Sequence, residues 1–173
     1  MTVPAWPDKV IPPINYALAD LMECVCDALA NLGQGPVCEC VIVGGELATA
    51  DWAGECASGR CGMAYIRPGL VSPYDIFPFE NVDPNCYQPL AYQLDVGVFR
   101  CYPVAGEDLE PPEAELTTEA TLLLMEDQAA ILTALRCCDS PYLGYKAVGS
   151  WQPTGPSGAS HGGFWTFYVD PVG

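Results

Sequence analysis

Leu90-Ala91-Tyr92-Gln93-Leu94-Asp95-Val96-Gly97-Val98-Phe99-Arg100-Cys101 is the stretch on which the fold turns. Leu90, Tyr92, Leu94, Val96 and Val98 alternate with Gln93, Asp95 and Gly97 at period two, the pattern of a strand that buries one face. A strand this long should be central or run the length of its sheet, and its apolar face requires a second layer. Upstream, Val37-Cys38-Glu39-Cys40-Val41-Ile42-Val43, stopped by Gly44-Gly45, predicts one strand, and Cys61-Gly62-Met63-Ala64-Tyr65-Ile66 predicts another. Downstream, Tyr145–Trp151 and Phe164-Trp165-Thr166-Phe167-Tyr168-Val169 predict a hairpin whose tip is a Pro/Gly/Ser-rich loop over 152–163.

Two helices supply the second layer. After Pro12-Pro13, apolar residues at Ile14, Leu18, Leu21, Met22, Val25, Leu29 and Leu32 form a helical stripe that Gly33 can end. A second helix over about Thr117–Cys138 carries Glu119, Glu126 and Asp127 early and Arg136 in its last turn, signs that suit the helix dipole. Its apolar face includes Ala120, Leu124, Ile131 and Leu135. The segment 67–89 holds Pro68, Pro73, Pro78, Pro84 and Pro89, too much proline for a central strand, and is expected to be an aromatic-bearing arm. The order predicts one α+β domain over 1–173. It is a two-layer structure in which a mixed or antiparallel sheet of about four to six strands is covered on one face by two amphipathic helices.

Charge narrows the function. Six Lys+Arg stand against 22 Asp+Glu, a formal charge of −16, which argues against gripping a nucleic-acid backbone by neutralising it. Acidic walls would instead repel a duplex threaded past them. The first apolar stretch contains Asn15, Asp20 and Glu23 and lacks the basic start of a signal peptide, so synthesis and folding in a cytoplasm are expected. No run of about 20 residues is apolar enough to cross a bilayer.

Ten cysteines pull the other way, since that density suits an extracellular disulfide framework. Three readings stay open: buried free thiols, a metal site, or disulfides formed after the protein leaves a reducing cell. The tightest group, Cys38-x-Cys40 with Cys56-x4-Cys61, could hold zinc through four thiolates, although Cys-x-Cys is not the usual knuckle spacing. Cys56 and Cys61 alternatively bridge each other across a short loop that Gly59 helps to close. Cys24 and Cys26, if helical, point to different faces and do not pair with each other.

Catalytic equipment is sparse. His161, the single histidine, lies in Gly158-Ala-Ser-His-Gly-Gly163, a glycine-rich stretch expected to be loop and poorly suited to holding a base. Gly33-Gln-Gly-Pro-Val follows a helix instead of opening one, so it is no phosphate loop. Glu107, Asp108, Glu110, Glu113 and Glu115 form a solvated acidic connector, and Arg60, Arg67, Arg100 and Arg136 are expected to anchor ion pairs. No catalytic residue and no cofactor follow from this pattern. What remains is surface for association: Tyr74, Phe77 and Phe79 on the proline-stiffened arm, and Trp151 and Trp165 at the last hairpin, are the assembly-interface candidates.

The N-terminal amphipathic helix, the Cys56-to-Cys61 loop, Leu94-Asp-Val-Gly-Val-Phe-Arg-Cys-Tyr-Pro-Val104, the helix ending Arg136-Cys137-Cys138, and the closing Gly-Gly-Phe-Trp-Thr-Phe-Tyr-Val-Asp-Pro together resemble the tail-terminator or neck proteins of long-tailed phages that infect actinobacteria. Those proteins are similar in fold to lambda-type tail terminators. The resemblance implies a homo-oligomeric ring, usually hexameric, that caps the tail tube and joins it to the head connector or stopper protein. DNA would pass through its lumen without specific binding. It implies a virion protein assembled in the host cytoplasm, with no membrane and no cofactor. Another neck ring, a stopper or connector completion protein, is the alternative within that class. A small cysteine-rich metal-binding or redox protein is the alternative outside it.

Overall fold

A computed structural model describes residues 13–44, 62–76, 79–80, 90–105, 111–157 and 159–171. The elements run α1 (Pro13–Leu32), β1 (Glu39–Ile42), β2 (Met63–Ile76), β3 (Phe79–Glu80), β4 (Leu90–Cys101), α2 (Ala114–Cys137), β5 (Leu143–Ser157) and β6 (Ser160–Pro171). The sheet order is β1-β2-β4-β6-β5, with β3 paired to β2 off that path. β1 joins β2 in parallel and every other pairing is antiparallel, so the sheet is mixed. Both helices lie on one face, the predicted α+β arrangement.

β4 is the central strand, as its alternation predicts. Leu94, Val96 and Val98 face the helices beside Ala64 and Ile66 of β2 and Phe167 and Val169 of β6. Against them pack Leu18, Leu21, Met22, Val25 and Leu29 of α1 and Ile131 and Leu135 of α2, all buried. Fully burying side chains of this size is worth about 1.5–3 kcal/mol each, which is why the apolar stripe, more than intrinsic propensity, holds both helices. The helices are antiparallel. Cys24 of α1 bonds Cys138 just after α2, and the residues that follow α1 reach back to Asp127 in the middle of α2. Leu32, counted in the predicted stripe, is the last residue of α1 and is exposed.

The opposite face carries a second apolar cluster of Met63, Tyr65 and Phe99, with Val41, Val43 and Phe164 packed against it. The Tyr65 and Phe99 rings stack with a centroid separation of 5.1 Å, on the face the helices do not touch. Gly97 makes the cluster possible: a Cβ there would stand 2.3 Å from the Gly163 carbonyl oxygen and 2.8 Å from Cζ of Tyr65.

Two segments expected to be irregular are strand. Residues 67–76 of the proposed 67–89 arm continue β2 through Pro68 and Pro73, pairing with β4 as far as Pro73↔Leu90. β1 matches β2 only as far as Ile66, so among the described residues the stretch from Arg67 to Pro73 pairs with β4 alone, and a bulge lies between Pro68 and Val71. Proline is tolerated at such edges and bulges. The supposed 152–163 loop is likewise the end of β5 and the start of β6, which pair as far as Ser157↔Ser160. β5 is the outer strand, and register shifts near Val148 and Thr154, with Gly155 at φ 89°, absorb its proline and glycine content.

Candidate functional site

The most elaborated polar feature is a buried ion pair inside the core. Arg100 stands on β4 at the register of Leu94, Val96 and Val98, and so points toward the helices. Its Nε and Nη2 donate to Asp127 Oδ2 and Oδ1 at 2.8 and 3.1 Å. Asp127 sits on the apolar stripe of α2, four residues before Ile131, and is fully buried. The backbone N–H and Nε2 of Gln34 donate to the same two oxygens at 3.1 and 2.8 Å. Arg100 also donates to the carbonyls of Gly35 at 2.8 Å and Pro36 at 3.3 Å.

Four donors therefore converge on one carboxylate, and one guanidinium binds two adjacent carbonyls of the turn after α1 besides it. Bidentate, charge-assisted pairs of this geometry are strong and directional. Here the pair clamps β4, α2 and the turn after α1 to one another. Gly33 is required for the approach, since a Cβ at that position would lie 2.4 Å from Asp127 Oδ1. No lone pair of the carboxylate is left for a substrate, so the arrangement holds the fold together and offers no general base.

His161 completes the surroundings. It is buried on β6 in register with Arg100, and its ring lies against that of Tyr102 at 4.9 Å. The expectation of a loop residue is corrected: Gly162 and Gly163 are strand glycines. At Gly162 a Cβ would lie 2.1 Å from the Val98 carbonyl oxygen, so these glycines serve strand contact and not loop freedom. Burial lowers the imidazole pKa from its usual 6.5; Asp127 opposes that shift and Arg100 reinforces it.

On the other face Arg67 pairs with Asp95, its Nε donating at 3.0 Å and its Nη2 contacting the same oxygen. Tyr65 lies beside them. Burial raises its hydroxyl pKa well above the usual phenol range, with Asp95 adding to the shift and Arg67 countering it. Two of the four arginines expected to anchor ion pairs do so, Arg67 and Arg100; Arg136 is exposed, and Arg60 lies outside the described residues.

The cysteines resolve largely into disulfides. Cys24 bonds Cys138 and Cys26 bonds Cys40, while Cys137 is free and exposed. Cys38 and Cys101 are disulfide-bonded as well. Cys24 and Cys26 indeed face different partners, as two helical positions that close must. The four-thiolate set of Cys38, Cys40, Cys56 and Cys61 is corrected: Cys40 is spent on Cys26, and a disulfide sulfur is not a thiolate ligand. Cys56 and Cys61, and with them their proposed bridge, lie outside the described residues. Among the described residues no three His, Cys, Asp or Glu side chains converge as metal ligands, and no helix is long and apolar enough to cross a membrane.

The interface candidates separate. Trp165 donates its indole N–H to the Gln128 carbonyl of α2 at 3.0 Å, and Trp151 packs beside it at 5.8 Å, both against the core. These two tryptophans tie the hairpin to its own helix layer, and each keeps part of its surface exposed. Tyr74 lies in β2 and Phe79 in β3, with backbone pairings Tyr74↔Glu80 and Ile76↔Phe79; Phe77 is outside the described residues.

Asp127 and Gln34 were missed at the level of sequence, though a signal existed. Arg100 breaks the alternation of β4 at a core position, and Asp127 breaks the apolar stripe of α2. Opposite charges at two core positions point to each other, because neither can be buried alone. No family model matches this chain, and no curated protein matches it in sequence.

Proposed function

We propose that this chain is a non-enzymatic structural subunit of a phage head-to-tail junction, most specifically the tail terminator that caps the tail tube and meets the head connector. The observation that supports the reading is the architecture: two antiparallel helices on one face of a mixed sheet, with the phage-like phrases falling on β4, on the end of α2 and on β6. A saturated ion pair where an active-site cluster would otherwise be sought is consistent with a protein whose work is assembly. The disulfides suit a particle that ends its life outside a reducing cytoplasm. The acidity suits a lumen through which DNA must slide without sticking.

Light scattering on the purified chain, with and without reductant and chelator, tests this. A discrete ring, near six times the 18.5 kDa chain for a hexamer, or a monomer that forms one only on mixing with tail tubes, is the expected result. A ring that binds head connectors but not tail tubes would favour the stopper or completion protein. A monomer that neither assembles nor binds tails, and that loses structure on chelation, would favour the metal-binding class.

A further inference from the structure

α2 is half committed. Its buried residues are Asp127, Ala130, Ile131, Ala134 and Leu135, all in its second half. The first half nevertheless carries the run Leu122-Leu123-Leu124-Met125, in which Leu122 and Met125 are each 58 % exposed. Thr118, Leu122, Met125 and Ala129 are all exposed and recur at spacings of four, three and four, which lines them up as one seam on the outer face of the helix. That is the spacing with which one helix receives another. A solvated helix face needs no such seam, and this one is not used by any element of its own domain among the described residues.

One flank specifies the occupant. Glu119 and Glu126 stand beside the seam on the same side, Glu115 lies one turn before them on that side, the other flank carries Thr121 and Gln128, and α2 has no Lys or Arg until Arg136 in its last turn. A second copy of this helix laid antiparallel would set Glu against Glu, and the whole chain is at −16, so self-association through this face is opposed. An amphipathic helix with an apolar stripe and Lys or Arg along the side that meets Glu119 and Glu126 fits apolar to apolar and opposite charge to charge.

We infer that the outer face of the first half of α2 is a docking site for a basic amphipathic helix of a partner protein, seated on Leu122 and Met125 and oriented by Glu119 and Glu126. The inference stands on this helix face and does not depend on the ring reading, so it is tested separately on the intact, oxidised chain.

The probe is a synthetic three-heptad peptide with Leu at the seam positions and Lys along one flank, titrated by fluorescence anisotropy against its counterpart with Glu at the same positions. The Lys peptide is expected to bind and the Glu peptide is not. Leu122→Ser with Met125→Ser should weaken binding at least about tenfold, since it removes the apolar contact and leaves every charge in place. Leu32→Ser, at an exposed leucine elsewhere, should change nothing. Glu119→Lys with Glu126→Lys should transfer the preference to the Glu peptide. All the positions altered are exposed, so circular dichroism should show each variant folded. Undiminished binding to the Leu122→Ser, Met125→Ser variant would reduce the effect to adsorption on an acidic surface and overturn the proposal. So would a dimer of the unmodified chain that the same variant abolishes, since the occupant would then be a second copy.

Discussion

Arg100 and Asp127 are 6 % and 0 % exposed, so neither can fall back on water when the other is removed. Breaking a buried pair from one side costs about 3–5 kcal/mol, whereas replacing both partners by apolar groups is often neutral or better. Asp127→Ala should therefore lower the urea stability of the chain at neutral pH by about that amount, and Asp127→Leu with Arg100→Met should cost far less than the two single changes summed. Additive losses would mean that the pair contributes through packing alone. His161 makes a second residue-scale prediction, one of pH. Its folded pKa is depressed by burial, so the unfolded chain takes up the proton first. The stability it supports is full above the ordinary value near 6.5 and is lost as the pH falls from there through the folded value. Between pH 7 and pH 5 the unmodified chain should lose stability more steeply than His161→Gln, compared by urea midpoints. Equal slopes would place the imidazole in water. The charged residues were legible in the sequence, as was the conflict of Arg100 with its strand's alternation; which acid answered it was not, because Asp127 lies 27 residues further along.

Among the elements, α1 is the hub, bonded through Cys26 to β1 and through Cys24 to the residue that follows α2. The two bonds differ in the chain they close, 114 residues for Cys24–Cys138 and 14 for Cys26–Cys40. In the chain-entropy account a loop of about 100 residues is worth about 4.7 kcal/mol and one of about 15 residues about 3 kcal/mol. Cys24→Ser with Cys138→Ser should accordingly destabilise the oxidised chain more than Cys26→Ser with Cys40→Ser, by roughly 1–2 kcal/mol in urea unfolding. The reverse order would mean that the long connection is already restrained in the unfolded ensemble. Element identity was largely legible: helical spacing marked both helices, and β4 was bounded correctly at Leu90 and Cys101. β2 and the β5–β6 hairpin were read short. Proline argues against a strand only where that strand has neighbours on both sides, and among the described residues neither the Arg67–Pro73 stretch of β2 nor β5 does.

For the whole molecule, the excess of 22 acidic over six basic residues is compounded by where the basic ones sit: Arg67 and Arg100 are bound in ion pairs, and Lys146 donates to the Cys138 carbonyl at 2.7 Å. The chain should give no mobility shift with duplex DNA even at about 50 mM salt, where phosphate contacts are strongest. A shift would require a basic surface that composition does not suggest. By itself the sequence determined the α+β class, the central strand, the two helices and the acidic character, because periodicity and charge are properties of neighbours along the chain. The tertiary structure alone decided that Arg100 meets Asp127, which cysteines are bonded, that a second cluster lies behind the sheet, and that among the described residues nothing covers the outer face of the first half of α2. Each of these depends on which segments the β4-centred sheet brings side by side, and a long loop is closed at an entropic cost that depends weakly on its length and on nothing legible in its residues.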